Sequence, residues 1–284
     1  MTQIPPIQPG PAAPVVRESL SVEAANPPRV PIADLPGKVQ QILSISSEKA
    51  GFLVQESERL YVNRMRQRFS QLRVAERLKR TNPFLLQIRG AKTVREWATL
   101  QIESALYASE EEAVGHLLEA IAKACFPGAA SPTHPDDFDF EVRPSASDIH
   151  GYQVKMSWDC MPMSSRKNLS NTIRSLRQEF AVQGVTFTGL FASCYGKATT
   201  TQPPGQEYIS LASKEFWERV GGGIQDFDVR VGEVCALLCS EFRGEVLATL
   251  VPALLENLTR AALPEIGNQD GSINYTKLFR RVNR

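Results

Sequence analysis

Apolar residues recur with helical periodicity over a long stretch of the N-terminal half. From residue 48 to residue 80 they fall at steps of three and four residues, which places them on one face of a helix. The pattern therefore predicts a helix over 48–80, with inward positions at Val62, Met65, Phe69, Leu72, Ala75 and Leu78.

Two further helices are predicted to begin with a capping box. In this motif a hydroxyl and a glutamate reciprocally satisfy the first backbone amides of a helix. Thr93 with Glu96 and Ser109 with Glu112 have the required spacing. Apolar stripes near the C-terminus fit either the core or a dimer interface. The predicted helices cover 94–107, 110–125, 164–181 and, at the C-terminus, 228–262.

Strict alternation of apolar and polar residues predicts a β-hairpin in the middle of the chain. In its first strand Phe138, Phe140 and Val142 point one way and the acidic residues between them point the other. Residues that favour turns separate it from a second alternating segment. The predicted elements are strands over 137–143 and 151–157, a turn over 144–148 and a central strand over 184–192.

The length of this turn fixes which residues face each other across the hairpin. Asp139 is expected opposite Gln153, and Asp137 opposite Lys155. Together with Glu141, these residues would bring three carboxylates, an amide oxygen and a lysine onto one face. Like charges crowded on one sheet face repel each other.

A divalent cation would resolve this repulsion. Oxygen ligands suit Mg²⁺, which is typically held by one or two carboxylates and keeps several waters. Lys155 could then hold or help to deprotonate a water while the ion stabilises charge on a phosphate. The alternative is an exposed, acid-rich strand that lies opposite a lysine and has no catalytic role.

Composition narrows the class of protein. The chain has 284 residues, of which 42% are hydrophobic and 22% charged, and its net charge is +1. These values are typical of a globular protein with a sizeable core and exclude a histone-like protein. No apolar run is long enough to span a bilayer, and the N-terminus lacks a signal pattern. Five cysteines without tight spacing favour free thiols in the cytoplasm.

Proline is concentrated at the N-terminus, where nine of the nineteen prolines fall in the first 36 residues. Such a stretch has few apolar anchors, so residues 1–36 are predicted to form a disordered tail, which could also serve as a docking arm. Residues 37–284 are predicted to form one domain with its catalytic core at about 94–215.

Positive charge is concentrated in the predicted helix over 48–80. Between Arg59 and Arg80 there are eight Lys or Arg residues and one Glu, so the local charge is +7. Such a segment can contact phosphates or can be an exposed face without a partner. The candidate DNA-binding residues here are Arg64, Arg66 and Arg68.

Other conspicuous residues do not form recognised sites. The three histidines and the cysteines lack the spacing of a zinc site. The glycines at 221–223 are not followed by the Gly-Lys-Ser/Thr of a phosphate-binding loop, so they are interpreted as a helix stop and no nucleotide cofactor is expected.

Several motifs, taken in order, resemble one family of nucleases. An acidic strand, a turn and a strand that ends in x-x-Lys resemble the PD-(D/E)xK superfamily, with Gln153 in place of the usual acid, as in some active members. Four short segments resemble motifs of the PmeII-like group of Type II restriction endonucleases. They are N-P-F-L-L at 82–86, S-E-E-E-A-V-G-H-L-L-E at 109–119, C-Y-G at 194–196 and E-F-W at 215–217. The likeness covers roughly residues 80–240.

The resemblance implies an α/β restriction-endonuclease-like fold, in which a central mixed sheet is flanked by helices and extended by helical N- and C-terminal additions. It also implies Mg²⁺ bound by Asp139, the carbonyl of Val154, Gln153 and Glu119, or Glu111 two turns earlier. Lys155 would complete the catalytic set.

The substrate implied by the resemblance is double-stranded DNA, cut at a specific sequence by a homodimer in restriction-modification defence. Arg166, Lys167 and Arg174 would then follow the DNA backbone. Two alternatives remain: a repair or mobile-element nuclease of the same superfamily, and a DNA-binding protein whose metal site has decayed, with Gln153 as the sign of that decay.

Overall fold

A computed structural model describes residues 32–283 of the protein, except for the side chain at position 239. The predicted tail over 1–36 lies mostly outside the described residues. Its last five residues belong to the folded chain, because the amide of Ile32 donates a hydrogen bond of 3.0 Å to the Glu241 carboxylate and a helix begins at Leu35.

Helices make up most of the described chain and surround one small sheet. Among these residues no helix combines the length and the apolar character needed to cross a membrane. The helices are α1 Leu35–Leu43, α2 Ser47–Glu58, α3 Arg64–Ser70, α4 Val74–Lys79, α5 Pro83–Ile88, α6 Val94–Cys125, α7 Met163–Ala181, α8 Ser213–Val220, α9 Phe227–Ile266 and α10 Tyr275–Val282, and a π-helical segment Arg59–Asn63 joins α2 to α3.

The sheet is mixed and has four strands in the order β1-β2-β3-β4. β1 (Phe140–Ser145) and β2 (Asp148–Ser157) form the predicted antiparallel hairpin. β3 (Thr186–Tyr195) pairs in parallel with β2 after the crossover helix α7, and β4 (Ile209–Leu211) pairs in parallel with β3. The predicted α/β architecture, a mixed sheet flanked by helices, is confirmed.

Each face of the sheet packs against helices. α7 covers one face, where Gly189 approaches Ile173 so closely that a Cβ on the glycine would lie 2.3 Å from the isoleucine Cδ1. The other face, which includes Phe140, Tyr152 and Leu190, joins the large core built by α6, α8 and α9. The hairpin is therefore held between two helical layers.

The register of the hairpin is as predicted from Phe140 to Val142, but its first strand begins later and the predicted turn over 144–148 is wrong. β1 continues to Ser145 and β2 begins at Asp148, so the turn is shorter, and the register shifts between Val142 and Ser145. Phe140 pairs with Tyr152, which is the expected alignment. Asp137 lies in the preceding turn, so the alternation fails there. Phe138 packs into the α7 core, whereas Phe140 packs into the core on the other face. The expectation that these two rings point the same way was wrong.

The two helices predicted over 94–107 and 110–125 form the single helix α6. Its capping box at Thr93 and Glu96 is confirmed. The second predicted box is wrong, because Ser109 is buried inside the helix and its hydroxyl accepts a hydrogen bond of 3.1 Å from Arg68. The Ser109 hydroxyl thus bonds Arg68, which is distant in sequence, and does not cap a helix.

The helix predicted over 48–80 is interrupted twice. The π-helical segment buries three consecutive residues, Leu60, Tyr61 and Val62, which a regular helix would not place on one side. Farther on, α3 ends at Ser70, whose hydroxyl donates a hydrogen bond to the carbonyl of Gln67. The chain is then extended at Arg73 before α4 begins. The apolar period of the sequence continues across this break and for that reason does not reveal it. The expectation that Ala75 points inward was wrong, because that residue is exposed after the break.

Candidate active site

A carboxylate, an imidazole and an ammonium meet where α6 approaches β2. The Nζ atom of Lys155 lies 3.9 Å from Oε1 of Glu119, and Nδ1 of His116 lies 3.2 Å from Oε2 of the same carboxylate. His116 and Glu119 are three residues apart and so are neighbours on the helix surface. About a quarter of the Glu119 side chain and a third of the Lys155 side chain are exposed, so the group is open to solvent.

Asp139 is fixed beside this group by the backbone of β2. Its amide donates a hydrogen bond of 2.8 Å to the carbonyl of Tyr152, and its Oδ2 accepts one of 2.6 Å from the amide of Val154. The first bond adds one main-chain contact to the hairpin, and the second ties the Asp139 carboxylate to β2. Asp139 therefore lies immediately before β1 and against β2, whereas its pairing with Gln153 stays a prediction, because the paired residues begin at Phe140.

Burial disfavours the charged form of both carboxylates of the site, and the charge of Asp139 further disfavours that of Glu119. Burial raises the pKa of Asp139, and Lys155 and the Val154 amide counter this in part. Burial, followed by the charge of Asp139, raises the pKa of Glu119, whereas Lys155 and His116 lower it. A cation placed between such carboxylates removes both penalties.

Two side-chain oxygens near this cluster have no hydrogen-bond partner in the described part of the chain. Oε1 of Gln153 and Oγ of Ser193 are both buried. Gln153 precedes Lys155 by two residues and therefore shares its face of β2, and Ser193 is the register partner of Lys155 on β3. A buried amide oxygen without a donor is costly unless something binds it.

This set of donors fits a divalent cation of the Mg²⁺ type. Two carboxylates, an amide oxygen and a main-chain carbonyl are hard oxygen ligands, and Mg²⁺ commonly takes only one or two carboxylates from a protein. The unpartnered Oε1 of Gln153 is the observation that favours a ligand here. Within residues 32–283, no three His, Cys, Asp or Glu side chains are grouped as metal ligands, so the amide and carbonyl oxygens are needed to complete a set.

The expected convergence of three carboxylates from one strand was wrong. The carboxylate of Asp137 accepts a hydrogen bond of 2.9 Å from Thr172 on α7 and does not face Lys155. Glu141 is buried and accepts hydrogen bonds from the amide and the hydroxyl of Thr133, at 2.9 and 3.0 Å. Of the three acids on the predicted strand, only Asp139 belongs to the site.

Glu111, the other candidate on α6, is exposed. It precedes Glu119 by eight residues, which corresponds to about 12 Å along the helix axis and about 80° around it. Its part in metal binding remains a prediction.

The three candidate DNA-binding arginines of the basic segment have acidic partners within the protein. Glu112 on α6 forms ion pairs with both Arg64 and Arg68, and Arg66 contacts Glu245 on α9 at 2.6 Å. These pairs attach α3 to the long helices. DNA contact by the three arginines remains a prediction.

The candidates that follow the hairpin differ in their surroundings. Arg166 donates hydrogen bonds to the carbonyls of Met161 and Trp158, at 3.0 and 2.9 Å, and so holds the loop before α7. Arg174 pairs with Glu207 at 3.0 Å, and Lys167 is exposed on α7. Of these three, Lys167 is the one whose side chain forms no hydrogen bond or ion pair within residues 32–283 that would compete with a phosphate.

Sequence reasoning missed two members of the cluster. His116 carried a usable signal, since its spacing of three residues from Glu119 puts both on one side of a helix. Ser193 carried none, because only the pairing of β2 with β3 brings it next to Lys155.

Comparison with known families places these elements in a recognised group. A family model described as Type II restriction endonuclease EcoO109I matches residues 48–230, which is 183 of the 284 residues. The match runs from α2 into α9 and includes every residue of the cluster. A comparison with curated proteins gives no match.

Proposed function

Because the chain belongs to the family of the Type II restriction endonuclease EcoO109I, we propose that it is a Mg²⁺-dependent endonuclease that cuts double-stranded DNA at a specific sequence. The observation that carries this proposal is the cluster of Asp139, Glu119 and Lys155 beside the unpartnered amide oxygen of Gln153. Its activity belongs to restriction-modification defence in the cytoplasm.

The ion would be held by oxygen atoms from both sides of the cluster. Asp139 and Gln153 offer side-chain oxygens from the hairpin, Val154 offers its carbonyl, and Glu119 approaches from α6. The chemistry supplied by a bound divalent ion is the stabilisation of negative charge that develops on the scissile phosphate. Glu111, two turns earlier on α6, is the alternative to Glu119.

The protein's own groups orient the reactants. Lys155 presents an ammonium that can donate to the attacking water and offset charge on the phosphate. The Val154 amide fixes the rotamer of Asp139, and His116 holds one oxygen of Glu119, so that both carboxylates are positioned before substrate arrives. Preorganisation of this kind avoids the cost of rearrangement during the reaction.

Sequence-specific cleavage of both strands calls for a homodimer. A two-fold axis would relate two copies of the site to the two strands of a symmetric DNA sequence. Contacts to the DNA backbone are assigned to Arg64, Arg66, Arg68, Arg166, Lys167 and Arg174.

The test is digestion of plasmid DNA by the purified protein with Mg²⁺. We expect discrete fragments of fixed size, and EDTA should abolish them until Mg²⁺ is restored. Fragments without fixed sizes would favour a repair or mobile-element nuclease. Tight binding to DNA without cutting in either Mg²⁺ or Mn²⁺ would favour a decayed site.

A further inference from the structure

A cleft opens where the chain breaks between α3 and α4 and faces the middle of α6. Its volume is about 380 Å³, which falls in the range of ligand-binding pockets. Arg73, Arg77 and Arg80 line one wall, and the opposite wall includes the small residues Ala105 and Ala108 of α6. The apolar pattern does not predict this cleft, because the period over 48–80 indicates an uninterrupted helix there.

The charge of the cleft is positive and largely uncompensated. Arg68 also lines it, but that guanidinium is already bound by Glu112 and Ser109. The three remaining arginines form no hydrogen bond or ion pair with a carboxylate elsewhere in residues 32–283. Glu76 is the acidic residue in the lining, so three positive charges face one negative charge.

Arg77 is the arginine for which this shortage of partners matters most. It is half-buried, and burial together with the neighbouring charge of Arg80 lowers the pKa of its guanidinium, an effect that the charge of Glu76 counters only in part. A partly desolvated cation beside a like charge is unfavourable unless an anion pairs with it. The guanidinium fork favours planar or tetrahedral oxyanions that accept two hydrogen bonds, and phosphate groups are the common ligands of this kind.

The position of the cleft connects it to the candidate active site. Ala108 precedes Glu119 by eleven residues on one continuous helix, which is close to three full turns and about 16 Å of rise. Ala108 in the cleft wall and the Glu119 carboxylate of the candidate site therefore lie on the same side of α6. Phosphates follow each other at about 3.4 Å per nucleotide along the axis of duplex DNA, so this separation corresponds to about five nucleotides.

We propose that the cleft lined by Arg73, Arg77 and Arg80 binds a backbone phosphate of the DNA, on the order of five nucleotides from the scissile position. This inference rests on the proposed endonuclease function for its choice of DNA as the source of the phosphate. The contact is independent of sequence, and it anchors the duplex along α6 so that the phosphate to be cut reaches Glu119 and Lys155.

The test compares two cleft variants with a control that removes as many charges as the first of them. Arg77→Gln/Arg80→Gln removes two guanidiniums, and Ala108→Glu leaves the arginines in place but adds a carboxylate at an exposed helical position facing them. Lys38→Gln/Lys49→Gln removes two charges from exposed positions on α1 and α2. Thermal unfolding establishes that each variant is folded.

Binding is measured by fluorescence anisotropy without divalent cations, on a duplex of arbitrary sequence about 30 base pairs long, between about 50 and 200 mM salt. Both cleft variants should weaken binding on the order of tenfold at the lower salt concentration and reduce the slope of log K against log salt by about one to two. The control should retain the slope of the wild type.

Unchanged slopes in both folded cleft variants would overturn the inference. Calorimetry with inorganic phosphate separates the two possible sources of the phosphate group. If the wild type binds inorganic phosphate and Ala108→Glu loses it, while the slope for DNA is unchanged, the cleft is a small-anion site and the inference is wrong. Because these measurements need no cleavage, the inference can fail in a protein that cuts DNA and can hold in one that does not.

Discussion

The ammonium of Lys155 lies 3.9 Å from the carboxylate of Glu119, across the junction between β2 and α6. This ion pair joins the two halves of the candidate site, since Lys155 comes from the hairpin and Glu119 from the long helix. It also suggests that Lys155 offsets part of the charge of Glu119 before substrate binds, which is consistent with its lowering effect on the Glu119 pKa.

Lys155 is expected to serve the cleavage step and not DNA affinity. Lys155→Ala should lower the rate of plasmid cleavage by on the order of a hundredfold, the scale of losing one electrostatic catalytic group, and leave DNA binding nearly unchanged. Lys214→Ala, which removes an exposed lysine of α8, is the matched control. Single-turnover cleavage and anisotropy measure the two quantities. A similar loss of rate in both variants would remove Lys155 from the mechanism.

Glu119, and not Glu111, is expected to act at the site. Glu119→Gln keeps the size of the side chain but removes a charge beside Asp139, so cleavage should fall by on the order of a hundredfold. Glu111→Gln should stay within a few-fold of the wild type, because that side chain is exposed and lies about 80° around the helix from Glu119. Equal losses of cleavage rate in the two variants would show that the direction a side chain takes from α6 does not identify the metal ligands.

Gln153 is expected to act through its side-chain oxygen. Gln153→Glu retains an oxygen at nearly the same place and should preserve cleavage with Mg²⁺. Gln153→Leu fills similar space without an oxygen and should abolish it. Rates measured over a range of Mg²⁺ concentrations, with circular dichroism to confirm folding, test the pair. Full activity of the leucine variant would exclude residue 153 as a ligand.

The capping box of α6 should contribute measurably to stability. Thr93→Ala removes the hydroxyl that accepts from the Glu96 amide and should cost about 1 kcal/mol in the free energy of unfolding. Thr99→Ala, within the same helix, should cost little, since its hydroxyl only bonds back to the Arg95 carbonyl. Urea denaturation of the three proteins gives the comparison. Equal costs would mean that the box does not stabilise the helix.

Glu96 adds a pH dependence to this cap. Hydrogen bonds from the amides of Lys92 and Thr93 lower the pKa of its carboxyl. Because the pKa is lowered in the folded state, the ionised carboxylate stabilises the protein at pH values above the ordinary glutamate pKa. This stabilisation is lost as the pH falls through the lowered pKa. Glu96→Gln should therefore flatten the acid side of the stability curve. If the free energy of unfolding of Glu96→Gln falls with decreasing pH as steeply as that of the wild type, the carboxylate is not part of the cap in solution.

The centre of the site could be predicted from the sequence because it depends on local alternation. A two-residue period determines which residues of a hairpin face each other, so the pairing of Phe140 with Tyr152 followed from the pattern, although the turn is shorter than predicted. The start of a strand is not encoded in the same way. Asp137 continues the alternation, yet its carboxylate bonds Thr172 on a helix that comes much later in the chain.

The features that sequence reasoning missed all depend on contacts between distant residues. Ser109 has the spacing of a helix cap, but Arg68 bonds its hydroxyl and the helix continues through it. Ser193 reaches Lys155 only through strand pairing. The break before α4 leaves the apolar period intact, because Leu72 and Val74 still pack against the core on either side of it.

The central claim, that the hairpin and α6 form a metal-dependent nuclease site around Asp139, is tested most directly by comparing two neighbouring aspartates. Asp139→Ala and Asp137→Ala remove carboxylates two residues apart, of which only the first lies beside Lys155 and Glu119. We predict that plasmid cleavage with Mg²⁺ is abolished in folded Asp139→Ala and persists in Asp137→Ala. Cleavage at the wild-type rate by Asp139→Ala would contradict the account.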